Sequence, residues 1–120
     1  KNGIAGMLEN VPREKLIGGV PFYTRLWTEA GDGTITSKAM GIAEEKRWVD
    51  NNQVELTWQA DTAQYYGEVQ TSDGAQFLWM EEERSLKEKM NVIRQNDLAG
   101  VACWKLGFED SAAWDSIQWN

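Results

Sequence analysis

The chain has 120 residues, of which 42% are hydrophobic, and its net charge is −7. This length suits one ordinary domain with a packed core. The acidic balance argues against a nucleic-acid or anionic-membrane partner, because both need a basic face, and no apolar run is long enough to predict a membrane span. The chain contains no His, which excludes His-based triads and the commonest zinc and iron sites, so we expect no metal and no cofactor.

Residues 4–11 predict the last turns of a helix, because their apolar positions recur at helical spacing until Pro12. Residues 16–23 follow as an almost unbroken apolar run, which is typical of a strand covered on both faces. Pro21 cannot donate a ladder hydrogen bond, so this strand should bend or end there.

Residues 28–36 predict a loop, and Ser37 predicts the N-cap of a short helix that buries Met40 and Ala43. From residue 54 onwards, apolar and polar residues alternate. This pattern predicts an antiparallel meander of three strands, around 54–58, 65–70 and 75–80, whose core holds Trp58, Tyr65, Tyr66 and Trp79.

Ser85 and Glu88 match a capping box, which predicts the start of an amphipathic helix that runs to about Asn96. Residues 101–106 predict a second buried strand, and Ser111 predicts the cap of a last short helix.

The order of these elements indicates the architecture. A buried strand, a helix and another buried strand form a unit with parallel strands, but residues 28–80 separate the first strand from its helix. In a (β/α)₈ barrel, an insertion at this position rises from the face that holds the active site. Because two parallel strands cannot close a barrel, the predicted fold class is an α+β fragment. It comprises the last strands and helices of a (β/α)₈ barrel with an inserted antiparallel α+β subdomain.

Three quoted segments carry a family resemblance: PREKLIGGVPFYTRLW at 12–27, FLWMEEERSLKEK at 77–89 and LAGVACWKLGFE at 98–109. With residues 28–80 between the first two, they resemble the C-terminal part of family 18 glycoside hydrolases. This family includes chitinases and spore-cortex or cell-wall glucosaminidases.

The resemblance implies three segments. Residues 1–27 would hold a helix end and the seventh barrel strand, residues 28–80 the α+β chitinase insertion domain, and residues 81–120 the seventh helix, eighth strand and terminal helix. The family's DxxDxDxE signature and its sixth-strand Tyr-Asp pair are absent from the chain, so we expect no catalytic residue here.

The resemblance also implies where a sugar would bind. In the family, a Glu protonates the leaving oxygen while the substrate's own N-acetyl group attacks. Trp104, at the end of the eighth strand, would form the floor beneath the sugar at the cleavage site, although core packing is the alternative. Tyr23 and Arg25 share one strand face and would reach the cleft, unless Tyr23 packs internally and Arg25 pairs with carboxylates of the insertion. Trp27 would line the groove or support the insertion.

The acidic run 81–83 precedes a helix, and we interpret it as solvated rather than catalytic. Seven Trp residues suggest sugar stacking, but we expect about five of them to be structural.

The expected function is a C-terminal segment of a glycoside hydrolase that acts on β-1,4-linked N-acetylglucosamine polymers, in chitin or peptidoglycan. The segment alone should be inactive. The alternative is a non-catalytic carbohydrate-binding or structural domain. Expected partners are the polysaccharide, and either the remainder of the barrel or a second copy of the chain. The resemblance implies a secreted protein or one of the cell envelope or spore.

Overall fold

The computed structural model describes residues 1–119 and contains, within them, two separate sheets, four α-helices and a short 3₁₀ helix (Arg13–Lys15). We number the elements in chain order: α1 (Asn2–Leu8), β1 (Ile17–Pro21), β2 (Tyr23–Glu29), β3 (Ile35–Gly41), α2 (Ile42–Asn51), β4 (Thr57–Gln59), β5 (Gln64–Thr71), β6 (Gly74–Met80), α3 (Glu83–Gln95), β7 (Gly100–Trp104) and α4 (Ser111–Ser116). This arrangement confirms the predicted α+β class with an antiparallel sheet.

The two apolar runs pair as the sequence predicts. β1 and β7 lie parallel, in a register that begins with Ile17 opposite Gly100 and ends with Pro21 opposite Trp104. α3 packs beside them and contributes Leu86, Met90 and Ile93 to one core cluster, which also contains Phe22 and Ala113. The apolar side chains of α3 therefore lie on one face of the helix and pack against the parallel pair, as expected for an amphipathic helix.

The second sheet is antiparallel, with the strand order β3-β2-β6-β5-β4. Its core side carries Leu26, Leu78 and Met80, and α2 covers this side with Val49. Alternate strand residues point away from α2, so the other side of the sheet is open. Within residues 1–119, none of the helices is long and apolar enough to cross a membrane.

The prediction for residues 28–43 was wrong in part: a loop is present, but only at residues 30–34. β2 continues to Glu29, and the stretch Ile35–Gly41 is a strand rather than a helix capped by Ser37. α2 begins only at Ile42, where Gly41 is the N-cap. β3 is an edge strand whose burial does not alternate regularly, so it lacks the clear apolar alternation by which strands are recognised.

Two helix starts also differ from the prediction. α3 starts earlier, at Glu83, and its capping box runs in the opposite sense: Glu82 is the N-cap, and its carboxylate accepts from the Ser85 amide at 2.8 Å while the Ser85 hydroxyl accepts from the Glu82 amide at 2.9 Å. α4 is capped by Asp110 rather than by Ser111. Among the strands, β4 spans only Thr57–Gln59, and β7 ends at Trp104 rather than at residue 106.

Candidate functional site

A shallow pocket lies at the carboxyl ends of β1 and β7, where the two strands leave the parallel sheet. Its volume is about 420 Å³, and its lining includes Pro21, Tyr23, Cys103 and Trp104. The two aromatic residues come from opposite ends of the chain, and the register of β1 against β7 brings them together. The structure therefore places two of the four predicted site residues, Trp104 and Tyr23, in one pocket.

Trp104 is 68% exposed, although it ends a strand whose neighbours help to build the core. Its backbone is well anchored, because its carbonyl accepts a hydrogen bond of 2.7 Å from the Phe22 amide. Its peptide bond to Lys105 is cis. An indole held by its backbone and open to solvent offers an apolar face to a ligand.

Tyr23, Arg25 and Trp27 occupy alternate positions of β2 and so share its open face, opposite the buried Thr24 and Leu26. The Tyr23 ring is half-buried against Phe108. Arg25 lies outside the pocket lining; its Nε and Nη2 donate to the Ser37 hydroxyl at 3.0 and 2.7 Å, and its guanidinium lies 5.9 Å from the Trp27 ring. Arg25 therefore has a hydroxyl partner, and the alternative to its cleft role, a pairing with carboxylates of residues 28–80, is not formed within residues 1–119.

The loop that follows Trp104 is tied to α2. The Ile42 amide donates to the Phe108 carbonyl at 2.7 Å, and a Cβ at Gly41 would lie 2.8 Å from that same oxygen, so the close approach requires glycine. Lys46 on α2 bridges Glu83 at 2.5 Å and Asp110 at 2.6 Å, which are the starts of α3 and α4. These contacts therefore fix the position of the open sheet face relative to the pocket.

The interpretation of residues 81–83 as a solvated run was wrong for Glu81 and Glu82, which are both buried. The Glu82 carboxylate caps α3. The Glu81 side chain is only 1% exposed, and its carboxylate accepts from Lys89 Nζ at 2.8 and 2.9 Å and from Ser85 Oγ at 2.5 Å. Burial raises the pKa of Glu81, and the Lys89 charge opposes that rise. Glu81 is a structural ion-pair partner at the junction of β6 and α3, and it does not line the pocket.

Glu45 is a third buried carboxyl that the sequence did not lead us to expect. It is 0% exposed on the core side of α2, and neither carboxyl oxygen has a hydrogen-bond partner within residues 1–119. Burial raises the pKa of Glu45 to about 9, helped by the nearby charge of Glu81 and opposed by the Thr24 hydroxyl and Lys46. The burial of Glu45 could have been predicted from its helical spacing, because it lies on the same helix face as Ile42 and Val49, the other buried positions of α2.

None of these three buried carboxyls reaches the Trp104 pocket, whose lining contains no carboxylate. A larger cavity, of about 890 Å³, lies between α1, β1 and α3, and none of the described residues that line it is aromatic. Within residues 1–119 there is no cluster of His, Cys, Asp and Glu that could hold a metal ion. The Trp104 pocket thus has the chemistry of a binding surface for a neutral ligand with an apolar face.

Comparison with known proteins gives consistent results. The sequence model of the glycosyl hydrolases family 18 matches residues 3–109. The cortical fragment-lytic enzyme of Bacillus subtilis is 25% identical over 109 residues, which are 89% of this chain and 25% of that protein.

Solved structures share the fold. A chitinase from Chromobacterium violaceum superposes with a TM-score of 0.83 at 22% identity, over 93% of this chain and 34% of that chain. The spore cortex-lytic enzyme SleL from Bacillus megaterium superposes with a TM-score of 0.81 at 23% identity, over 92% of this chain and 26% of its own. The chain therefore spans about a quarter to a third of the length of these relatives.

The buried Glu45 predicts a specific pH dependence of stability. Its pKa is about 9 in the folded chain and 4.5 when unperturbed, so the folded state binds the proton more tightly and stability falls as pH rises between those values. Replacing it by the neutral Glu45→Gln removes this loss. The variant should be more stable than the native chain by ~1 kcal/mol or more at pH 8, and the difference should shrink towards pH 4.5.

Chemical denaturation at several pH values measures this difference. Glu44→Gln is the matched control, because the neighbouring Glu44 is exposed and forms a surface ion pair of 2.6 Å with Lys38. Its effect should stay within about 0.5 kcal/mol, without the same rise with pH. If the free energies of unfolding of Glu45→Gln and the native chain differ by the same amount at every pH from 5 to 9, Glu45 is not the source of the pH dependence.

Proposed function

We propose, from the premise that this chain belongs to the glycosyl hydrolases family 18, that it is the C-terminal segment of an enzyme that cleaves β-1,4-linked N-acetylglucosamine polymers. Its role would be to form one side of the substrate groove. The observation that carries the proposal is the exposure of Trp104, 68%, at the carboxyl ends of the parallel strands, next to Tyr23. In barrels with alternating strands and helices, this end of the strands holds the active site.

Each proposed contact has a physical reason. The axial C–H groups of a sugar ring pack on the indole face of Trp104, which supports the sugar at the cleavage site from below. The Tyr23 hydroxyl lies within the same pocket and can donate to or accept from a sugar hydroxyl. Arg25 and Trp27 line the groove further along β2, where the guanidinium offers several donors to hydroxyl or acetamide oxygens.

The proposed segments of the chain follow from this role. Residues 1–27 and 81–120 are the last parts of a barrel, and residues 28–80 are its insertion, which stands beside the groove. The general acid comes from a part of the enzyme outside this chain. The polymer is chitin or peptidoglycan, and the enzyme is secreted or belongs to the cell envelope or spore. This location is supported by the spore cortex-lytic and chitinase relatives.

A non-catalytic carbohydrate-binding or structural domain is the second candidate. The observation in its favour is that the pocket lining contains aromatic residues but no carboxylate. An enzyme segment and a carbohydrate-binding domain would share the sugar contact of Trp104, and they differ in whether the complete protein carries a catalytic acid. They are therefore separated by hydrolysis, not by binding.

The parallel pair also indicates a missing neighbour. Ile17 on β1 is 59% exposed, and Leu106, just beyond β7, is 76% exposed. A two-stranded parallel sheet leaves both outer ladder edges without hydrogen-bond partners. We propose that the other strands of a barrel cover these edges in the complete protein, and that a second copy covers them when the chain is alone.

Trp104→Ala in the complete enzyme should lower kcat/KM towards chitooligosaccharides. The expected loss of transition-state stabilisation is about 1–3 kcal/mol, the scale of a lost aromatic contact. Trp104→Phe should retain part of the activity, because it keeps an aromatic face. Trp119→Ala removes another exposed Trp and serves as the control, with kcat/KM unchanged. Native kcat/KM in Trp104→Ala would reject the role of this residue.

The chain 1–120 alone should not hydrolyse chitooligosaccharides or peptidoglycan fragments. General acid catalysis needs a protonated carboxyl at hydrogen-bond distance from the leaving oxygen, whereas Glu45 and Glu81 are buried away from the pocket. Product formation by the purified chain is the measurement. Turnover that persists after repurification and disappears in Glu81→Gln, Glu82→Gln, Glu83→Gln or Glu109→Gln would show that the acid lies in this segment.

The isolated chain should self-associate through its uncovered parallel strands. Light scattering across a wide concentration range should show a mass above that of the monomer. Ile17→Lys should reduce this mass, because it places a charge on β1. Ile35→Lys is the matched control, because Ile35 is similarly exposed, 57%, but lies in the other sheet. A strictly monomeric native chain would contradict the proposal.

A further inference from the structure

The ring of Phe108, in the loop between β7 and α4, lies against the Tyr23 ring of the Trp104 pocket. The two ring centroids are 6.4 Å apart, and the ring planes meet at 64°. An edge-on contact of this kind is a favourable geometry for two aromatic rings. Phe108 is half-buried and also packs against the core cluster of the parallel pair. It does not line the pocket, so it would act on a bound ligand through Tyr23 rather than directly.

The register of β2 and β3 explains why Phe108 can occupy this position. Tyr23 lies directly opposite Gly41. Side chains of directly opposite residues project from the same face of a sheet, so a side chain at position 41 would be the cross-strand neighbour of Tyr23. A Cβ at Gly41 would lie 2.8 Å from the Phe108 carbonyl oxygen and 3.0 Å from the Phe108 Cα. Phe108 therefore fills the space that a side chain at Gly41 would take, and it serves as the neighbour of Tyr23.

The backbone of Phe108 is held from two sides. Its carbonyl accepts from the amide of Ile42, the first residue of α2, at 2.7 Å, and its amide donates to the Lys105 carbonyl at 3.1 Å. The turn between Lys105 and Phe108 contains Gly107 at a φ of 91°, which glycine adopts without strain. The Lys105 ammonium lies 4.8 Å from the Phe108 ring centroid, within the range of a cation–π contact. The position of the Phe108 ring is therefore set partly by α2 and partly by its own loop.

We propose that Phe108 is a positioning residue that holds the Tyr23 ring in the orientation that binds the substrate, and that Gly41 and Ile42 hold Phe108 in place. A ligand binds more tightly to a side chain that is already held in its bound orientation, because less conformational freedom is lost on binding. The start of α2 would thereby influence the pocket without touching the ligand there. This inference rests on the proposed function, because it matters for binding only if Tyr23 contacts the sugar.

A double-mutant cycle between Phe108 and Tyr23 tests the inference, with chitotetraose as the ligand and the chain 1–120 as the protein. Tyr23→Ala and Phe108→Ala should each weaken binding about fivefold, the scale of one aromatic contact. In a chain that already carries Tyr23→Ala, Phe108→Ala should weaken binding by less than about twofold, because the residue through which it acts is gone. A merely structural role of Phe108 would give the same factor in both backgrounds.

Gly41→Ala tests the contribution of α2. Gly41 has a φ of −69° and a ψ of 163°, which alanine adopts readily, so this variant acts by displacing Phe108 and not by straining its own backbone. It should weaken binding about threefold when Tyr23 is present, because the displaced ring no longer supports Tyr23. Gly31→Ala is the matched control and should keep the native affinity, since a Cβ at Gly31 would meet no atom within 4 Å. Equal affinities of Gly41→Ala and Gly31→Ala would overturn the role of α2.

Two further variants separate positioning from folding. Phe108→Leu keeps an apolar side chain of similar size but loses the aromatic edge, whereas Phe108→Tyr keeps the aromatic ring. Phe108→Tyr should bind chitotetraose within about twofold of the native chain. Phe108→Leu should bind as weakly as Phe108→Ala, although its denaturation midpoint stays closer to the native value. Affinities that follow the denaturation midpoints, and not the presence of a ring, would overturn the positioning role even if Phe108→Ala fails to fold.

Trp104→Ala distinguishes a failure of this inference from a failure of the proposed function. If Trp104→Ala weakens binding while Phe108→Ala has no effect, the positioning role is overturned and the pocket stands. If Trp104→Ala weakens binding while Tyr23→Ala does not, the inference fails and the pocket rests on Trp104. If neither Trp104→Ala nor Tyr23→Ala changes the affinity, or if neither the native chain nor the complete protein binds chitotetraose, the pocket and the inference are both rejected.

Discussion

The rest of the structure depends on the hydrogen bond from the Phe22 amide to the Trp104 carbonyl, because β1 and β7 separate just after it. It extends the parallel ladder of β1 and β7 just beyond Pro21, and its length is 2.7 Å. Past it, one strand continues into the antiparallel sheet and the other into the loop towards α4. The Phe22 side chain is 0% exposed and meets Trp114 edge-on, so the backbone at this junction is held from the core side. Trp104 can therefore be open to solvent without being loosely placed.

The antiparallel sheet and α2 are connected to the parallel pair by more than the two points at which the chain passes between them. The Thr24 hydroxyl accepts from the Glu81 amide at 2.7 Å, which joins the strand that leaves with the strand that returns. On the other side, Lys46 and the Gly41–Phe108 contact tie α2 to the loop after β7. Burial and polar contacts act together here, since Glu81 is also held by Lys89 and Ser85. The face of β2 therefore keeps a constant relation to the pocket.

The sequence was sufficient for the features that depend on apolar patterning. The unbroken runs gave the parallel pair, the alternation gave β5 and β6, and the helical stripe gave α3. β3 was missed because an edge strand has little apolar alternation, and Ser37 has the same chemistry in a strand as at a helix cap. The sense of the capping box in α3 was missed because Glu82 and Ser85 can cap as well as Ser85 and Glu88.

Some features of the candidate site could likewise be predicted from the sequence and others could not. The position of Trp104 at a strand end and the shared face of Tyr23 and Arg25 follow from period two and from strand order. The burial of Glu45 could not be predicted from composition, because charged residues are almost always exposed. The outward positions of Tyr66 and Trp79, which we predicted in the meander core, were missed for a related reason. Alternation shows that two faces differ, but only the position of α2 decides which of them is covered.

The contact between Thr24 and Glu81 has a consequence for the order of folding. The parallel pair joins residue 17 to residue 100, and closing so long a loop in an unfolded chain has a high entropic cost. The antiparallel strands between them are mostly linked by short turns, so they can assemble locally. Once they have done so, Thr24 and Glu81 are neighbours, and the remaining search is only as long as α3 and its flanking residues. We therefore expect the antiparallel sheet to act as a folding nucleus that delivers β1 and β7 to each other.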